Sequence, residues 1–298
     1  MKTYAITGAT GNIGHGIAEV LLRHGQKVRA IARRRDKLAP LARQGAEVLV
    51  GTLADSDFLT RAFEGTAGVF AMIPPDLQAQ DVRESQNRVG AAIAAAVRAA
   101  HVEHVVNLSS QGAHLPEGTG PIAGLHDQEE RLNRLSGVQV VHLRAAFFME
   151  NTLNGLGMIE TQGIYGTPLR GDLKFPAIAT RDIARVAADY LLALDFSGQT
   201  VRDLLGPRDL SMLEITGILG RALGKPDVRY VQFPYEKARQ TMVDMGLSPD
   251  VARVFVEMYQ AINAGRILRA GWRTPESTTP TAFESFAEEI AQRYAQAA

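Results

Sequence analysis

The feature that most limits what this chain can become lies in its first sixteen residues, where the apolar run Tyr4-Ala5-Ile6 breaks into Thr7-Gly8-Ala9-Thr10-Gly11-Asn12-Ile13-Gly14-His15-Gly16. Apolar residues resume at Ile17, Ala18, Val20, Leu21 and Leu22, so the stretch reads as strand, tight turn, helix. Glycines at 8, 11 and 14 suit a turn with unusual dihedrals, a backbone that must approach a pyrophosphate, and a helix packed hard on its strand. The spacing is Gly-x-x-Gly-x-x-Gly rather than Gly-x-Gly-x-x-Gly, so context has to support it. The turn follows directly on a strand, leads directly into a helix and has further strand-helix units behind it. It predicts a dinucleotide cradle.

Strands are expected at 27–32, 47–50, 68–73, 102–108 and 138–143, and helices at 14–24, 36–44, 55–63, 81–100 and 126–135. Such alternation builds a parallel sheet covered by helices on both faces, so the fold class is α/β, a Rossmann-type doubly wound parallel sheet. In these sheets ligands sit outside the carboxyl ends of the strands. Beyond Arg144 the rhythm weakens. An interrupted helix is expected over 147–158, a short strand at 163–165, a helix at 180–194 and a strand at 201–205. Ser211 and Glu214 form a capping-box pattern at the head of a helix, and Thr281 with Glu284 forms another. A strand at 228–233 and helices at 235–245, 249–263 and 281–294 complete the reading. It divides the chain into a dinucleotide-binding Rossmann domain, 1–150, and a smaller α/β substrate lobe, 151–298, with some elements returning to the main sheet.

Charge narrows the choice of partner. The 32 basic and 32 acidic residues cancel, which argues against a general electrostatic hold on nucleic acid or an anionic membrane. Without cysteine there is no disulfide and no thiolate chemistry. Met1-Lys2 runs straight into the first strand and no apolar stretch has spanning length, so the expectation is a cytoplasmic protein, monomer or homodimer, acting on a small molecule.

The end of the second strand addresses the type of dinucleotide. NAD enzymes place a carboxylate there for the ribose hydroxyls, whereas NADP enzymes place positive charge. Here Ala30-Ile31-Ala32 is followed by Arg33 and Arg34, with no acid before Asp36, which favours NADP(H). The competing reading makes these arginines a solvated helix start.

Thr7-Gly8-Ala9-Thr10-Gly11-Asn12-Ile13-Gly14, Asn107-Leu108-Ser109-Ser110, Leu143-Arg144 with Phe148, Glu150 and Asn151, Arg181-Asp182-Ile183-Ala184 and Leu223-Gly224-Lys225-Pro226 together resemble the NmrA-like family of atypical short-chain dehydrogenases/reductases. That family includes quinone oxidoreductases, a triphenylmethane dye reductase, plant phenylpropanoid reductases and redox-sensing regulators. The resemblance implies that Gly8, Thr10, Gly11, Asn12, Ile13 and Gly14 hold the pyrophosphate and that Arg33, with Arg34, meets the adenosine phosphate. Ile73 and Pro74 would lie beside the nicotinamide ribose, with Leu53 and Ser109 also in the cofactor set. Many relatives carry an acid after the glycine equivalent to Gly51, where this chain has Thr52. His126 falls where many relatives have lysine and where quinone- and dye-reducing members have histidine.

The chemistry is atypical. No tyrosine is followed by lysine four residues later, so the usual proton-donating pair is missing; Tyr235 and Arg239 only imitate it. His126 could bond the ribose or pass a proton near neutral pH, or could simply pair with Glu130 one turn on. A metal role for those two residues lacks a third ligand. A quinone yields a stabilised anion and a dye cation needs hydride alone, so such acceptors can react without a positioned acid. Phe147, Phe148, Pro75 and Ser110 are the candidate acceptor contacts, each with ordinary packing as its competing explanation. The leading expectation is an NADPH-dependent reductase of a quinone or similar planar conjugated acceptor. The alternatives are a redox sensor that binds NADP(H) without turnover and, ranked last, a carbon-carbon or ether reductase.

Overall fold

The computed structural model describes residues 1–268 and 270–297. Its first half alternates as β1 (Thr3–Thr7), α1 (Asn12–Arg23), β2 (Lys27–Ala32), α2 (Ala39–Arg43), β3 (Glu47–Val50), α3 (Ser56–Phe63), β4 (Gly68–Ala71), α4 (Val82–Ala99), β5 (His104–Ser110), α5 (Ala123–Asn133) and β6 (Gln139–Ala145). The helix expected over 36–44 opens as a 3-10 turn at Asp36–Leu38 before α2, with Pro40 in the first turn.

The second half holds β7 (Phe147–Phe148), α6 (Leu156–Gln162), β8 (Ile164–Thr167), β9 (Phe175–Ile178), α7 (Thr180–Ala193), β10 (Gln199–Leu204), β11 (Asp209–Leu210), α8 (Met212–Ala222), β12 (Arg229–Gln232), α9 (Tyr235–Asp244), α10 (Pro249–Asn263) and α11 (Phe283–Ala297). The interrupted helix expected over 147–158 is instead β7, a 3-10 stretch over Met149–Gly155 and α6. β9 and β11 were not expected. β9 is a four-residue buried run that includes Pro176, and β11 has two residues, too short for alternation to register.

Seven parallel strands form the main sheet in the order β10-β6-β5-β4-β1-β2-β3. The order reverses between β1 and β4, the switch point where a doubly wound sheet opens a crevice at its carboxyl edge. Ile6, Phe70, Val106 and Val141 pack with α1 and α7 on one face, while Ala5, Val69, Val105 and Val140 pack with α3 and α4 on the other. These alternate residues point to opposite faces as strand geometry demands. Two elements from beyond residue 150 belong to this sandwich: β10 pairs along β6, and α7 lies on α1 so closely that a Cβ on Gly16 would stand 2.9 Å from that of Ala184.

The remainder is built from small sheets, β11-β9-β7 and β12-β8, with helices around them. Long-range side-chain bonds fasten it. Glu150 accepts from the Thr180 N–H at 3.0 Å and caps α7. Asp182, on α7, accepts from the Thr281 N–H and hydroxyl at 3.0 and 2.9 Å. That hydroxyl is therefore turned to Asp182, and Glu284 pairs with Arg208, instead of forming the expected second capping box. The first box is present, with Ser211 and Glu214 bonded reciprocally.

Candidate active site

At the switch point the chain leaves β1 through Thr7, whose buried hydroxyl donates to the Phe70 carbonyl and accepts from the Met72 N–H, both at 3.0 Å. This clamps the ends of β1 and β4 together. Gly8 follows with φ +64°, in the region that favours glycine, and its carbonyl accepts from the Gly11 N–H at 2.9 Å. Gly14 lies over that turn so tightly that a Cβ would stand 2.5 Å from the Gly8 oxygen. The cradle is thus set by close backbone approach, as the glycine pattern requires.

The first turn of α1 is left bare. Among the described residues no side chain caps it, and it contains no acid. The helices α2, α5, α6 and α9 also start without a side-chain cap, whereas α3, α4, α8 and α10 are capped by Asp55, Asp81, Ser211 and Ser248. What sets α1 apart is that its bare start lies at the switch point. Thr10, Gly11 and Asn12 are exposed, Gly8 is half-buried, and Ile13 faces the core. The unpaired N–H groups of a helix start, with the positive end of its dipole, form a site for an anion. The residues present therefore fit a dinucleotide pyrophosphate.

At the end of β2 the two arginines differ. Arg34 is held fork to fork by Asp36, at 3.2 and 2.7 Å, and the pairing lowers the Asp36 carboxyl below its usual range. Arg33 is exposed, with no hydrogen bond or ion pair among the described residues. Asp36 is thus committed to Arg34, while the exposed Arg33 and Arg35 side chains make no hydrogen bond or ion pair among the described residues, and of these Arg33 directly follows β2, at the adenosine position. Leu53 is 7% exposed and packs among Leu59 and Phe63, so its side chain belongs to the core below that position.

After β4, Ile73 is buried, Pro74 half-buried and Pro75 exposed. Pro74 and Pro75 line a cavity of about 40 Å³ with Leu77, Val251 and Phe255, room for about one water. A second, open depression of about 530 Å³ runs along α7 and β10 at the edge of the sheet and contains none of the predicted site residues.

Under the ends of β5 and β6 lies a closed polar cluster. The Asn107 amide donates to His142 Nδ1 at 3.0 Å, and His142 Nε2 donates to Asn133 Oδ1 at 2.9 Å, which fixes a neutral ring with its proton on Nε2. Burial lowers the His142 pKa from 6.5 to about 4. The Ser109 hydroxyl donates to Glu129, which also takes a forked bond from Arg144. Burial pushes the Glu129 carboxyl up, but the bonds from Arg144 and Ser109 outweigh it and hold the group below its usual range. Ser109 was expected to meet the cofactor; its hydroxyl is committed to Glu129 because the strand pleat turns residue 109 toward α5. Ser110 points the other way, half-buried, and donates to the Gln111 carbonyl.

His126 lies in the first turn of α5. Its Nδ1 is 2.8 Å from the Ala113 carbonyl, in the loop that leaves β5, so Nδ1 carries the proton and Nε2 is the acceptor of the neutral ring. The alternative partner, Glu130, pairs with Arg134 at 3.5 Å instead. Phe147 and Phe148 are half-buried past β6, and the Phe147 ring packs edge-on against Phe175 at 5.3 Å, so it serves packing at least in part.

Two buried polar residues at this edge carry only weak signals in the sequence. Glu129 sits beside Gln128 and three residues before Leu132 on the buried side of α5, a pattern that would have flagged an interior carboxylate. Gln111 sits inside Ser109-Ser110-Gln111-Gly112, where its only signal is a long amide at a strand end, an unusual element to bury.

A doubly wound sheet with a bare helix start at its switch point and a free arginine after β2 defines a dinucleotide-binding protein of the Rossmann class. Residues 1–276 match the model of the NmrA-like family, and the chain belongs to that family. It is 31% identical over 260 residues to a (4-alkanoyl-5-oxo-2,5-dihydrofuran-3-yl)methyl phosphate reductase of Streptomyces griseus, covering 87% of each chain. It is 30% identical over 256 residues to an NAD(P)H azoreductase of Xenophilus azovorans, covering 85% of each. The fold superposes on the triphenylmethane reductase of Citrobacter sp. complexed with NADP(H) with a TM-score of 0.79 at 23% identity, covering 97% of this chain and 99% of that one.

Proposed function

We propose that this protein is an NADPH-dependent oxidoreductase that passes hydride to a quinone or a similar planar conjugated acceptor. The observation that carries the reading is the uncapped start of α1 beneath a glycine cradle, with Arg33 unpaired at the end of β2. The named relatives add support, since the groups their names say they reduce are conjugated: an oxo-dihydrofuran, an azo group and, for the structural neighbour, a triphenylmethane dye.

Bound NADPH supplies the hydride. The chain's own residues do the rest. The N–H groups of residues 12 to 14 hold the pyrophosphate, and Arg33 forks onto the adenosine phosphate. Ile73 and Pro74 wall the ribose side, and Phe148 and Pro75 offer flat apolar surface against which a planar acceptor stacks. His126, fixed by the Ala113 carbonyl, keeps Nε2 available to bond the ribose or to carry a proton to the reduced product.

The test is NADPH oxidation by the purified protein against a panel of quinones, azo compounds and cationic dyes. Turnover faster with NADPH than with NADH, and reduced at least about tenfold in His126→Ala, is the expected result. Tight NADPH binding without oxidation by any acceptor would reject the reductase reading in favour of a sensor.

A further inference from the structure

Among the described residues Gln111 and Thr119, both between β5 and α5, are buried with polar side chains left uncommitted, and of the two Gln111 stands at the strand end itself. Gln111 directly follows β5 and is only 6% exposed, yet its Oε1 has no hydrogen-bond partner. Its amide nitrogen also makes no hydrogen bond among the described residues. Buried amides are ordinarily satisfied at both ends, and an unmet one costs about 1–3 kcal/mol. The backbone around it is fixed: the Gln111 N–H donates to the Ala145 carbonyl at the end of β6, and the Gln111 carbonyl accepts from Ser110. Two residues on, Ala113 holds His126. A locked backbone carrying an unlocked amide, between the ends of two central strands, marks a group awaiting a ligand.

We propose that the Gln111 side-chain N–H₂ is the hydrogen-bond donor that receives the oxygen of a carbonyl-bearing acceptor and stabilises the negative charge it gains. The inference rests on the reductase reading. When a quinone takes up hydride from reduced nicotinamide, two electrons and one hydrogen arrive together. The cofactor is left oxidised, the quinone becomes the hydroquinone monoanion, and a proton from solvent, directly or by way of His126, completes the hydroquinone. Charge builds on oxygen before that proton comes. In a fold without the tyrosine acid, a neutral amide donor at this point lowers the barrier without having to titrate. Because no partner fixes the amide, it can turn over after proton transfer and offer Oε1 to the new hydroxyl, matching both substrate and product.

The prediction separates acceptors by their oxygen. Gln111→Leu should lower quinone turnover about 100-fold, in the range for loss of one oxyanion donor. Reduction of a cationic triarylmethane dye, which creates no oxyanion, should suffer far less. Gln111→Glu keeps the shape but loses the donor, so it should follow Gln111→Leu and guards against a packing artefact. Ionised 4-nitrophenol provides a readout independent of turnover: with NADP⁺ present, the wild type should bind this phenolate about tenfold more tightly than either variant, while NADPH affinity is unchanged. Equal loss on quinone and dye, undiminished quinone reduction, or equal phenolate binding by all three proteins would overturn the assignment. A wild type that reduces nothing defeats the reductase reading, and the phenolate titration then still decides whether Gln111 binds an oxyanion.

Discussion

The open cradle between β1 and α1 and the closed cluster beneath β5 and β6 lie on the same edge of one sheet, and they treat hydrogen bonding in opposite ways. In the cradle, among the described residues, the first N–H groups of α1 have no side-chain cap and Arg33 has no side-chain partner. In the cluster the bonds form two adjacent groups, Asn107–His142–Asn133 and Ser109–Glu129–Arg144. Unmet donors on an exposed edge leave an anion something to bind. Buried groups bonded to one another fix the shape of the edge and offer less to a ligand. On this criterion the Ser109 hydroxyl is committed to Glu129, and Gln111, two residues on, is the donor we propose for the acceptor.

The comparison can be broken most directly at Gly14. Gly14→Val sets side-chain atoms against the Gly8 carbonyl, and NADPH affinity followed by nicotinamide fluorescence should fall at least about 100-fold. An unchanged affinity would mean that the cradle is not the phosphate site. The closed cluster should report through stability and not through binding. An unfolded chain protonates His142 below pH 6.5, whereas the folded chain resists until about pH 4, so stability falls as pH drops through that window by up to about 3 kcal/mol. Glu129 adds to this at lower pH, because a carboxyl depressed in the folded state loses its contribution as pH falls through the folded pKa. Urea unfolding of wild type and His142→Gln at pH 7 and 4.5 checks the sign, and the variant should show a shallower dependence.

Arg33→Glu sharpens the open side. Removing the free guanidinium and adding charge repulsion should reduce the NADPH-over-NADH preference about 10- to 100-fold, measured as the ratio of kcat/KM values. Arg34→Ala, which only releases Asp36, should do less. The smallest effect belongs to a helix start that is already closed. Ser211→Ala breaks the reciprocal cap on α8 and should cost about 1 kcal/mol in thermal or urea unfolding, with NADPH affinity untouched.

The open side was the more legible in sequence. Glycine spacing, alternation and charge after a strand are local signals; the first two located β1, α1 and β2, and the third singled out Arg33 for test. The closed side depends on contacts between residues far apart in the chain: Ser109 meets Glu129 twenty residues on, and Glu150 caps a helix thirty residues on. Each of these side chains also had a plausible local or ligand role, so pattern alone could not decide between them. The motif residues Glu150 and Asp182 show the same effect. They fasten α7 to the segment after β6 and to the approach to α11, a task invisible until those segments are seen together.

The placement of α7 has a consequence for biosynthesis. The side of α1 that α7 covers becomes available as soon as the first quarter of the chain leaves the ribosome, but α7 emerges only after residue 193. Until then β6 ends the sheet as an unpaired edge, because β10 is made later still. The nascent chain therefore passes through a long interval with an apolar helix flank and an open strand edge exposed, a vulnerable state for misassociation. Ribosome-bound chains halted before α7 clears the exit tunnel should consequently depend on chaperone protection that chains with β10 outside the tunnel need less.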